Sequence, residues 1–199
     1  MLQTARRKSA RPGDTLRLDS AAWIELALQV LAARGIDGVR VEVLSKELGV
    51  TKGSFYWHFK DRAALLDAVL QEWRRRATVA IIQRLEATHE PPLKRLHRLL
   101  RLQFDARRAE FGADIELSMR LWGRHDRRPA EVLREIDELR LRYIAGLLTE
   151  LGIAREESRA RAVLIYSYMR VSRSLVDPAN DEGLIQVCET ILSSKTGRR

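Results

Sequence analysis

Apolar residues return every three or four positions along almost the whole of this chain, and no window alternates apolar with polar residues for the length of a strand. The first pattern marks a helix with one buried face; the second, had it been there, would have marked a half-buried strand. The chain therefore reads as all-α, with about nine helices. Trp23, Ala27, Val30 and Leu31 define the first, over about 19–34, with Asp19 or Ser20 to cap its start and Gly35 to end it. Two short helices follow. One spans about 41–48, buries Leu44 and Leu48 and stops at Gly49; the other spans about 52–58, starts at Thr51 and sets Phe55 four residues before Phe59. Asp61 caps a long fourth helix over about 62–87, with Leu66, Val69, Leu70, Trp73, Ala77, Ile81 and Leu85 on its inner side. Past Pro91 and Pro92, one stripe (Leu93, Leu96, Leu100, Phe104) runs to about 108, and a shorter segment over 113–123 holds Ile115, Met119 and Trp122. Helices over about 129–151, 156–176 and 181–193 complete the chain.

Composition narrows the class. The longest run without Asp, Glu, Lys or Arg is eight residues, whereas a bilayer span needs about twenty apolar residues. No membrane segment is expected, nor a signal peptide, since no apolar stretch follows the basic residues at the start. The single cysteine, Cys188, excludes an internal disulfide framework and a cysteine-clustered zinc site. These features predict a cytoplasmic protein. The net charge of +9 invites a polyanion. Its excess is densest in a basic, flexible arm over residues 1–18, where Arg6, Arg7, Lys8, Arg11 and Arg17 face one acid, Asp14.

The chemistry concentrates at residues 38–62. Two short helices joined at Gly49-Val50 are too small to fold alone; packed on the first helix they make a helix-turn-helix unit over 19–60. With Leu44, Leu48, Val50, Phe55 and Phe59 turned inward, Thr51, Lys52, Gly53, Ser54, Tyr56, Trp57, His58 and Lys60 are left outside. Hydroxyls, ring donors and ammonium groups, with no acid among them, suit phosphate oxygens and base edges. Gly53 lets a backbone come close to a base pair, and the amides opening the fourth helix, beside Lys60, offer a seat for a phosphate.

The stretch Leu48-Gly-Val-Thr-Lys-Gly-Ser-Phe-Tyr-Trp-His-Phe-Lys60, followed by Asp61-Arg62 and Leu65-Leu66, resembles the DNA-binding domain of TetR-family transcriptional regulators, over about residues 19–73. The resemblance implies a homodimeric, all-helical regulator with an N-terminal three-helix DNA-binding domain. It further implies a helical effector-binding and dimerisation domain over 61–199, with 61–87 as the connecting helix, and a dimer interface made by the last two helices. The family's contact residues fall on the same eight positions, Lys52 and Gly53 toward bases and the others mainly on phosphates. One position departs: Arg40 stands where the family usually has Ser or Thr, so that helix cap is missing.

Catalytic motifs are absent. There is no Gly-x-Gly-x-x-Gly, no Gly-x-x-x-x-Gly-Lys and no Gly-x-Ser-x-Gly, and His58, His89, His97 and His125 are scattered without metal-ligand spacing. Neither an enzyme nor a cofactor nor a metal site is expected. In the body, Phe104, Met119, Trp122 and Tyr143 come from three helices able to converge. They form either plain core or, as the resemblance implies, the walls of an effector pocket in which His97 and Tyr166 orient the ligand. The last two helices present Val163, Leu164, Ser167, Val171 and Leu175, then Leu184, Val187, Cys188, Ile191 and Leu192. That is more apolar surface than one lobe needs. It suits an isologous homodimer seam and hence a near-palindromic operator. The chain reads as a repressor released from double-stranded operator DNA by a small-molecule effector; the alternative is a helical small-molecule-binding protein that no longer reads DNA.

Overall fold

The computed structural model describes residues 19–104 and 106–194; they are helical throughout, with no strand among them. The expected arm over residues 1–18 lies outside the described residues. Helix α1 (Ser20–Arg34) opens on Asp19, whose Oδ1 accepts the Ala22 amide at 3.0 Å. The chain then turns through Ile36–Gly38 into α2 (Val41–Leu48). A side chain at Gly38 would place its Cβ 2.7 Å from that of Arg34, so this return onto α1 requires glycine. Between α2 and α3 (Lys52–Tyr56), Gly49 takes the left-handed conformation (φ 68°, ψ 29°) that glycine adopts without strain.

A 26-residue rod follows: α4 (Arg62–Arg74), one π-helical turn (Arg75–Val79) and α5 (Ala80–Ala87). Asp61 caps it as expected, accepting the Ala64 amide at 2.8 Å. The π turn is a departure from the uninterrupted helix that the apolar stripe predicts, and it has a visible cause. Such turns leave a carbonyl out of the regular ladder, and here Arg140 of a later helix donates to the Ala77 carbonyl (3.2 Å) and to the buried Thr78 hydroxyl (3.0 Å).

The body continues as α6 (Pro92–Arg101), a short 3-10 turn (Leu102–Phe104), α7 (Ala106–Gly123), α8 (Arg127–Glu150), α9 (Arg155–Leu175) and α10 (Glu182–Ser193). With the rod taken as one element, the described residues form nine helices. The joint between α6 and α7 differs from expectation. The first helix stops at Arg101 rather than near 108, and the second begins at Ala106 rather than 113.

Two apolar cores result. The first is built on Trp23, Ala27 and Leu31 of α1, and takes in Phe55, Leu65 and Val69 with Ile115, Met119 and Trp122 of α7. Trp23 meets Phe55 edge-on, ring centres 5.3 Å apart, and Phe55 stacks on Phe59 at 5.5 Å. The second core joins Leu85, Leu96 and Leu100 to Ile144, Leu147, Leu148 and Ile165. Because α1 packs on α7 inside the first core, the helix-turn-helix is seated on the body and not tethered to it. Among the described residues no helix is long and apolar enough to cross a membrane.

Candidate functional site

α3 is pinned from beneath by the fully buried Phe55, which fixes what it turns outward. Tyr56 is 62% exposed and Trp57 86% exposed. Thr51, Lys52, Gly53, His58 and Lys60 are exposed too, and Ser54 is half-buried. The eight sequence-predicted residues thus stand together on α3 and the turn after it. Thr51 occupies the N-cap position, yet its hydroxyl makes no capping bond. A Cβ on Gly53 would meet only the Thr51 hydroxyl, at an ordinary 3.5 Å, so nothing inside the fold demands glycine there.

Two contacts of this corner escape the sequence reading, and the expected Asp61 cap competes with the expected phosphate seat. Lys52 Nζ lies 2.8 Å from Glu42 Oε1 of α2, an exposed ion pair; the Lys52 hydrogen bond holds the Glu42 carboxyl below its ordinary value. Asp61, in taking the Ala64 amide, fills part of the expected phosphate seat with a carboxylate of the chain's own. Arg62 reaches back from α4 to donate to the carbonyls of Val39 (2.6 Å) and Ile36 (2.8 Å), tying the turn before α2 to the rod. Arg40 makes no side-chain cap, as the departure at that position predicts, and its side chain is exposed.

In the body, a cavity of about 360 Å³ opens between the α4–α5 rod and helices α6 to α9. Ile81, Ile82, Leu99, Ile144 and Met169 give it an apolar wall; Glu116, Arg120, Arg140, Tyr166 and Arg170 gather at its other side. Of the six residues expected around an effector, Tyr143 and Tyr166 line this space. The other four do not. Met119 and Trp122 belong to the first core, where Trp122 Nε1 donates to Asp126 at 3.2 Å. His97 faces the Ser193 hydroxyl of α10 at 3.4 Å, and Phe104 sits half-buried in the 3-10 turn. Apolar periodicity does not distinguish the residues that meet the cavity from those that meet a core or a neighbouring helix.

What the sequence reading missed is the charged cluster. Glu116 Oε1 accepts from Arg120 (2.8 Å) and Arg140 (3.1 Å), and its Oε2 from Arg140 Nη2 (3.1 Å), with Arg170 Nη1 at 3.3 Å. Asp137 takes a two-pronged bond from Arg120 (2.8 and 3.0 Å) and one from the Tyr166 hydroxyl (2.5 Å), which itself accepts from Arg140 at 2.7 Å. Burial pushes the Glu116 carboxyl up, but the charges of Arg140 and Arg170 outweigh it and hold the group below its ordinary value. Burial likewise pushes Arg170 down, and the attraction of Glu116 does not restore it. The spacings 116/120, 137/140 and 166/170 do place each pair on one helix face. They do not say that the three faces meet. Among the described residues no group of three or more His, Cys, Asp or Glu side chains is placed to hold a metal.

The outer face of α9 and α10 is apolar. Val163, Leu164, Val171, Leu175, Leu184, Val187 and Ile191 are exposed, Leu175 to 77%, with Ser167 among them. The two remaining residues of the expected seam turn partly inward: Cys188 is half-buried and Leu192 packs against the second core.

Comparison with known proteins bears on this arrangement. Residues 24–69 match the family model described as bacterial regulatory proteins, tetR family. The chain is 41% identical over 56 residues to the tetracycline repressor protein class D of Escherichia coli, a stretch covering 28% of this chain and 26% of that protein. The match thus spans about a quarter of that curated relative. In overall fold the chain is similar to a transcriptional regulator from Rhodococcus sp. Rha1 (TM-score 0.69, 18% identity, 90% of this chain and 100% of the other). It is also similar to AibR, solved in complex with isovaleryl coenzyme A and operator DNA (TM-score 0.62, 14% identity, 86% and 96%). Residues 24–69 thus carry the N-terminal domain of the tetR family of bacterial regulatory proteins, and the helical body around it shares the fold of the solved regulator.

Proposed function

We propose that this chain is a homodimeric transcriptional repressor that grips near-palindromic double-stranded operator DNA through α3 and releases it when a small-molecule effector enters the body cavity. The observation that carries the reading is the exposure of Tyr56 and Trp57 beside Lys60 on a helix-turn-helix. Two large rings left in water cost stability unless something covers them, and Thr51, Lys52, Ser54, His58 and Lys60 beside them offer donors suited to a phosphate backbone. The division of labour follows the chain: 19–60 reads DNA, 61–87 connects, and the rest binds effector and partner subunit. The tetracycline repressor supports repression as the mode of action, and AibR supports a ligand and an operator sharing one such fold.

The connecting rod supplies the coupling. At about 1.5 Å per residue the whole rod runs about 39 Å, and about 30 Å of it separates the turn at Lys60-Asp61 from the cavity wall at Ile81 and Ile82. Arg140 holds the rod's π turn by Ala77 and Thr78, both of which line the cavity. A ligand that prefers a tilted rod changes the spacing of the two α3 helices in a dimer. Coupling of about 1–3 kcal/mol is usual, or about 5–150-fold in operator affinity.

The reading is tested by the salt dependence of duplex binding, followed by fluorescence anisotropy. Each phosphate neutralised contributes about −0.9 to the log–log slope, so Lys60→Ala should flatten it by roughly two across a dimer and weaken all sequences alike. An unchanged slope would remove Lys60 from the interface.

A further inference from the structure

We infer that the cavity takes an amphipathic organic monoanion: an apolar body along Ile81, Ile82 and Leu99, ending in one carboxylate among Arg120, Arg140 and Arg170. The inference rests on reading this cavity as the effector site and names the chemistry of what enters it.

The charge count points to an anion. Among the described residues the lining carries three guanidiniums against one carboxylate, Glu116, with Asp137 directly behind it. Among the described residues that leaves one more positive than negative charge at the edge of a largely apolar cavity. The two acids are already saturated. Glu116 is shared by all three arginines, and Asp137 is held by Arg120 and Tyr166. The shortage therefore falls on the arginines, and most of all on Arg170. Among the described residues its contacts are one carboxylate oxygen at 3.3 Å and the Tyr166 ring, 5.2 Å from ring centre to guanidinium.

A carboxylate fits this deficit as no neutral or cationic group does. Guanidinium presents a planar fork that pairs with a carboxylate through two parallel bonds, and charge-assisted bonds of this kind are about twice as strong as neutral ones. An alcohol leaves the net charge standing, and an ammonium adds to it. The rest of the wall then sets the body of the ligand: aliphatic side chains, with a volume near the lower end of small-molecule sites.

The test uses the full-length protein and three probes with one body: octanoate, 1-octanol and octylammonium. Isothermal titration should find octanoate bound at least about tenfold more tightly than either of the others. Arg170→Met should abolish that preference while leaving the alcohol's affinity within about twofold, and Arg170→Lys, which keeps the charge but not the fork, should retain part of it. A thermal melt of each variant shows that the body is folded. Equal or tighter binding of the alcohol or the amine overturns the inference. So does a preference that survives Arg170→Met, and so does failure of all three probes to bind. Operator affinity is measured alongside. If octanoate binds with the expected preference but leaves operator affinity unchanged, the ligand class stands and the effector reading of the cavity falls.

Discussion

Glu42 sets an acid on a surface otherwise suited to phosphates, and it occupies Lys52, the side chain best placed to reach base edges. Both groups are exposed, so the pair contributes little to folding. Its effect falls on recognition instead. Glu42→Gln should release Lys52, remove a repulsive charge, and tighten duplex binding by roughly two- to fivefold, read by anisotropy at fixed salt. Unaltered or weaker binding would mean that the pair persists in the complex as a positioning contact. Glu116 is the opposite case, a buried acid held by three arginines. Removing one member of such a cluster costs about 3–5 kcal/mol, so Glu116→Gln should lower the urea midpoint clearly at neutral pH. Its folded-state pKa lies below the ordinary 4.5. The stabilisation from its charge is therefore present in full above about 4.5 and lost as pH falls through the lower folded value. The gap between variant and wild type should narrow below pH 4.5; a gap constant with pH would assign the loss to packing. The α3 residues were legible because exposure there follows from burying Phe55 and Phe59, four apart. Glu42 and the charged cluster were not, because ten or fifty residues of sequence separation carry no sign of which faces will meet.

At the scale of elements, periodicity located the helices well and their joints less well. Caps did most of the work where it succeeded: Asp19 and Asp61 both accept the amide three residues on. It faltered where an element is shaped from outside. Nothing local to Arg75–Val79 asks for a π turn; the Arg140 bonds to Ala77 and Thr78 come from α8. The same dependence predicts behaviour. Thr78→Val takes away the acceptor of Arg140 Nε and should cost about 1–3 kcal/mol. It should also speed amide exchange in Arg75–Val79 by about tenfold or more, leaving α1 and α4 protected. Exchange at the π turn that stays at its wild-type rate would show the turn to be held by its own backbone. Because the rod joins α3 to the cavity, the same variant should weaken the dependence of operator affinity on an effector.

For the whole molecule, the account requires two copies. The exposed apolar side chains of α9 and α10 lie on the outer face of the body, whereas α1 is buried against α7 in the first core. A charge placed in that face, as in Leu164→Glu with Ile191→Glu, should give a monomer by sedimentation at micromolar concentration. Such a monomer should still melt cooperatively, since neither side chain belongs to a core. A dimer that survives both substitutions would place the seam elsewhere. A two-fold dimer presents two α3 helices to one face of the duplex, and its half-sites should lie about one helical turn, or a multiple of one, apart. The central claim is that α3 reads DNA, and in vitro selection from a random duplex pool with the full-length protein tests it most directly. The wild type should recover one near-palindromic site, and Tyr56→Ala with Lys60→Ala should lose that enrichment; no enriched site, or the same site recovered by the double variant, would contradict DNA reading by α3.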